Sequence, residues 1–116
     1  MPADEADEAG WHPAGQAGDF EDEDVEQIWV GETAIAVYRV DGQFYATADV
    51  CTHEQAFLSD GVVVGCVVEC PMHQGRFDIA TGKAKGAPVS VDLKTYPVKV
   101  VDGELFVKVK MSGGGP

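Results

Sequence analysis

The chain has 116 residues, 45% of them apolar, and carries 20 acids against 8 bases for a net charge of −12. That length supports one small core. There is no run of eighteen apolar residues to cross a bilayer, and the acidic N-terminus lacks the basic-then-apolar order of a secretory signal. The acidic excess lies in residues 1–60, where 15 acids face only Arg39, whereas residues 61–116 hold 5 acids and 7 bases. Such a surface repels nucleic acid and anionic membrane, and suits either plain solubility or partners with basic patches. A soluble, cytoplasmic monomer is expected.

Residues 1–10, with Asp4, Glu5, Asp7 and Glu8 among small residues, are too polar to bury and read as a flexible acidic tail. The domain is expected over residues 11–110. Trp11-His12-Pro13 opens a first strand, with His12 exposed and not a ligand, and the acidic run Asp19 to Asp24 reads as a loop whose like charges oppose compaction. Short β-type runs at Gln27–Val30 and Thr33–Val40 flank a tight turn at Gly31-Glu32. Asp41-Gly42 is a type I′ hairpin signal from which Phe44–Thr47 returns antiparallel. Val62-Val63-Val64 and Val67-Val68-Glu69 are separated by Gly65-Cys66, which suggests a strand, a turn or bulge, and a second strand. Were one strand to link Cys66 to Cys70, the two would share a face; the expected role of Cys66 is core filling. Lys94–Val101 and Glu104–Val109 flank a second hairpin signal, Asp102-Gly103, with lysines 94, 99, 108 and 110 facing solvent. Helix is limited to one short turn within Gln55–Leu58, and Ser112 to Pro116 reads as a flexible end. The class is all-β.

Chemistry concentrates in Cys51-Thr52-His53 and Cys70-Pro71-Met72-His73. Two thiolates and two imidazoles make a four-ligand set, suited to a tetrahedral zinc or a 2Fe-2S cluster. Zinc fingers usually pair Cys with Cys and His with His. Here each loop supplies one of each, as required where one iron takes both thiolates and the other both imidazoles. A catalytic Cys-His pair has no orienting third group or oxyanion site in its favour. The third cysteine, Cys66, leaves no internal disulfide framework, which suits a reducing compartment.

From Cys51 to about Val109 the chain resembles a Rieske iron-sulfur protein, most nearly the small ferredoxins of bacterial aromatic ring-hydroxylating dioxygenase systems. Phe77-Asp78, Thr81-Gly82, Pro88, Leu93 and Tyr96-Pro97-Val98 carry the resemblance beyond the ligand loops. It implies the Rieske fold: an antiparallel base sheet or small barrel carrying an inserted cluster-binding subdomain, at about residues 49–82, of short strands and two ligand loops. It implies one Rieske-type 2Fe-2S cluster, with Cys51 and Cys70 on one iron and His53 and His73 on the outer one. Glu54, Gln55, Gln74 and Arg76 adjoin the ligands, and the Gln74 and Gly75 backbone donors are the foremost candidates for tuning them. The implied function is one-electron transfer from an NAD(P)H-dependent flavoprotein reductase to a terminal oxygenase; with no second iron site, the chain is not itself the enzyme. Where high-potential Rieske proteins carry a loop disulfide and Ser and Tyr hydroxyls, this sequence has Ala56, Met72, Gly75 and Phe77. A zinc-stapled interaction module, or a Rieske subunit or sensor of another redox system, stays open.

Overall fold

The computed structural model describes residues 10–51, 56–72, 75–85 and 91–109. Among the described residues ten strands run in chain order: β1 (Trp11–Gln16), β2 (Val25–Val30), β3 (Thr33–Val40), β4 (Gln43–Ala48), β5 (Val62–Val64), β6 (Val67–Glu69), β7 (Arg76–Asp78), β8 (Thr95–Tyr96), β9 (Val98–Val101) and β10 (Glu104–Lys108). They form three antiparallel sheets, ordered β1-β10-β9, β2-β3-β4-β8 and β5-β6-β7. Helix among the described residues is confined to two short 3-10 turns, Ala17–Asp19 and Leu58–Asp60, the second just past the turn expected within Gln55–Leu58.

Strand β3 organises the core because its sequence is apolar on both faces. Successive side chains of a strand point oppositely, so Ile35 and Val37 enter one core with Ala46, Leu105 and Val107, between the two larger sheets. Ala36, Tyr38 and Val40 enter the other, with Leu58, Val63, Val68, Phe77, Ile79 and Leu93 from the small sheet and its flanks. Cys51 and Cys70 belong to this second core.

Asp41-Gly42 and Asp102-Gly103 make their turns as expected: Asp41 and Gly42 have φ of 54° and 79°, and Asp102 and Gly103 have 52° and 82°, the positive pair a type I′ hairpin requires. The run Lys94–Val101 divides at Pro97. Tyr96 pairs with Ala46 of β4, whereas Val98 pairs with Val107 of β10. Proline has no N–H to give a ladder, so the chain changes sheets there and closes the base. Gly82, at φ 77°, donates to the Asp78 carbonyl and accepts from Leu93; a Cβ there would meet the Leu93 carbonyl oxygen at 2.3 Å.

Cys66 lies in the turn between β5 and β6, half-buried against the second core as a core-filling role implies, so the one-strand condition for a face shared with Cys70 is not met. Two expectations need correction. His12 is only half-exposed, paired in β1 opposite Val107, and its buried Nε2 has no hydrogen-bond partner among the described residues. The acidic run is a fastened corner instead of a self-repelling loop. Arg39 lies 3.0 Å from Asp22 Oδ1 through Nε and donates to the Phe20 carbonyl at 2.6 Å through Nη1. Asp22 also accepts from Gly42 N–H, and Asp24 from Glu21 N–H. Glu23, in the left-handed region at φ 72°, accepts from the Gly65 N–H at 3.0 Å and ties the base to the β5–β6 turn. One cation and several backbone donors thus offset the clustered charge. At the chain ends, the Val109 N–H donates to the Gly10 carbonyl; residues 1–9 and 110–116 lie outside the described set.

Candidate metal centre

Two loops rise from the second core and close in the same way. Cys51 donates its N–H to the Ala56 carbonyl at 2.9 Å, and Cys70 donates to the Gly75 carbonyl at 2.6 Å. Each cysteine thus heads a loop whose base is pinned by a bond to the residue five positions on. The first loop is framed by the Val50–Phe57 bridge and the second by Glu69–Arg76 pairing of β6 with β7. His53 and His73 fall within the loops and lie outside the described residues, as do Glu54, Gln55 and Gln74.

The two thiols share one environment. Cys51 is 4% and Cys70 1% exposed, and both pack into the cluster containing Leu58, Val68 and Phe77. The Met72 N–H points at Cys70 Sγ across 3.4 Å. An amide directed at sulfur favours the thiolate, which is the form that binds metal. Buried and in matched loops, with a donor already aimed at one sulfur, this pair fits a thiolate-held iron. Of the neighbours expected to matter, Arg76 is exposed on β7 and Gly75 is buried. The described donor to the Cys70 sulfur is the Met72 amide; the sequence marked that position for its lack of a loop cysteine, not as a donor.

Asp49 was also not foreseen. It is fully buried, yet its carboxylate accepts three bonds: from Ser59 N–H on Oδ1, and from Ser59 Oγ and Gln27 Nε2 on Oδ2, each at 2.7 Å. The available signal was Ala48-Asp49-Val50, an acid between apolar residues at the entry to a ligand loop. Nearby, Tyr38 donates to or accepts from Thr47 Oγ1 at 2.8 Å. Burial raises the Tyr38 phenol well above its ordinary 10.0, with the Thr47 bond opposing the rise and the Asp49 charge adding to it. A groove of about 400 Å³ opens beside the first loop, lined by Trp29, Glu32, Ala34, Val50, Ala56 and Phe57. Trp29 meets Phe57 edge to face, with centroids 6.2 Å apart.

The Rieske [2Fe-2S] domain model matches residues 10–97, from the start of the described chain to the residue where it changes sheets. The chain belongs to the Rieske family. Its centre is accordingly one Rieske-type 2Fe-2S cluster, and the all-β class and Rieske fold expected above hold. The chain is 44% identical over 100 residues to the ferredoxin component of the naphthalene 1,2-dioxygenase/salicylate 5-hydroxylase systems of a Ralstonia species, covering 86% of this chain and 96% of that one. It is 41% identical over 105 residues to the anthranilate 1,2-dioxygenase ferredoxin subunit of Burkholderia cepacia, covering 90% and 97%. Among solved structures, a complex of reduced oxygenase and oxidised ferredoxin in carbazole 1,9a-dioxygenase contains a chain that matches with a TM-score of 0.83 at 40% identity, over 89% of this chain and 98% of that one. This Rieske protein is therefore an electron-transfer component and not a catalytic subunit.

Proposed function

We propose that this Rieske ferredoxin carries single electrons from an NAD(P)H-dependent flavoprotein reductase to the terminal oxygenase of a system that hydroxylates aromatic compounds, in the cytoplasm and as a monomer. The observation that carries the reading is the matched pair of loops, each opening on a buried cysteine and each containing a histidine two or three residues later. Cys51 and Cys70 hold one iron, and His53 and His73 hold the other. When bound, the cluster supplies a one-electron couple.

The chain's own residues create the conditions for that couple. Leu58, Val68 and Phe77 exclude water from the thiolate side, and the Met72 amide supports the Cys70 thiolate. Val50 and Met72, next to the two loops, are 45% and 46% exposed. They give the docking surface an apolar rim on an otherwise acidic protein, and exposed apolar side chains of this kind suit a transient protein contact.

Purified protein tests the assignment through its visible spectrum, iron, sulfide and zinc content. Two irons and two sulfides are expected in wild type and in Cys66→Ser, and neither in Cys51→Ser or Cys70→Ser. One zinc and no iron would establish a structural metal module instead.

A further inference from the structure

The hydrogen bonds of Asp49 converge on the place where the first ligand loop leaves and rejoins the fold. Its N–H donates to the Ala34 carbonyl of β3 at 3.0 Å, and its carbonyl accepts from Leu58 N–H at 2.6 Å. Its carboxylate takes both donors of Ser59 from the turn after the loop, and Gln27 Nε2 from β2. Gln27 is held in turn, since its Oε1 accepts from the Trp29 indole at 3.1 Å. One buried residue therefore fastens the loop's entry at position 49, its exit at positions 58 and 59, and the base sheet at positions 27 and 34. A buried carboxylate is costly unless its oxygens are satisfied.

We propose that Asp49 is a positioning residue for the cluster. It holds the first ligand loop, which opens at Cys51 two residues on, against the base sheet through its backbone and its carboxylate oxygens. The proposal rests on the reading of Cys51 as a ligand. Asp49 touches the loop frame and acts through it.

The test uses the full-length, cluster-loaded protein as wild type, Asp49→Asn, Asp49→Ala and Ser59→Ala. Leu105→Ala weakens the other core, which contains neither Cys51 nor Cys70, and serves as the stability control. Each is measured for iron content, melting temperature and the rate at which excess EDTA bleaches the visible spectrum. Asp49→Asn keeps the shape but turns one accepting oxygen into a donor, and Asp49→Ala and Ser59→Ala remove bonds outright; each is expected to bleach about tenfold faster than wild type, the scale of a lost buried hydrogen bond, while Leu105→Ala bleaches as wild type despite a lower melting temperature. Bleaching that follows melting temperature across all variants overturns the positioning role. If the Asp49 variants do not fold, Ser59→Ala against Leu105→Ala decides it. A wild-type protein without iron would defeat the ligand reading itself, an outcome separate from any of these.

Discussion

Tyr38 sits in the cluster-side core with its hydroxyl bonded to Thr47, and its position has a pH signature. Folding raises its pKa above 10.0, so the neutral phenol is the form the native state prefers. That preference contributes stability fully below pH 10.0 and loses it as pH rises past 10.0 toward the native value. Tyr96 is shifted the same way by burial and adds to the same window. Tyr38→Phe should lower stability by about 1 kcal/mol at neutral pH, the scale of one hydrogen bond, and flatten the decline above pH 10; chemical denaturation at pH 7, 9 and 10.5 measures both. Residues nearest the ligands set the redox scale. Phe77 is fully buried and Ala56 lies at the base of the first loop; neither offers a hydroxyl to sulfur. Without those dipoles the reduced centre is less stabilised, so film voltammetry near pH 7 should give a midpoint below about +100 mV, in the lower part of the Rieske range.

Among the elements, the acidic corner shows where sequence reading stopped. Asp19 to Asp24 looked self-repelling because a charge run carries no sign of where its counter-groups lie. Arg39 and the Gly42 and Gly65 amides arrive from other strands. Arg39→Met should cost about 1 kcal/mol, since the bridge is partly exposed and its worth is moderated by solvent. It should also speed amide exchange at Glu23, whose N–H donates to the Arg39 carbonyl. Strand β3, the turns at Asp41-Gly42 and Asp102-Gly103 and the β5–β6 hairpin were legible because β-branched runs and positive-φ turn chemistry are local. Lys94–Val101 reads in sequence as one run, because which sheet each half joins about Pro97 depends on partners some fifty residues earlier and ten later, Ala46 and Val107. That Cys51 and Cys70 each open a loop could be anticipated from residue type and spacing. The Asp49 anchor could not, because its donors at positions 27 and 59 meet only after folding.

For the molecule as a whole, the net charge of −12 should guide a basic partner at long range. Charges farther apart than about 8 Å are largely screened at physiological ionic strength. Stopped-flow reduction by the partner reductase should therefore slow as salt rises, whereas deletion of residues 1–9 should change the rate little; a salt-independent rate constant would leave the acidic surface with solubility as its role. The groove beside the first loop has an optical consequence. The chain has two tryptophans: Trp11 lies under the Lys99 ammonium in the base, whereas Trp29 is 55% exposed and touches Phe57, whose backbone bridges Val50 next to Cys51. Light absorbed by Trp29 therefore has a coloured acceptor close by. Its emission should be dim in the loaded protein and brighten as the cluster is removed, and Trp29→Phe should abolish most of that change. The protein would then report its own loading by fluorescence, without an added label.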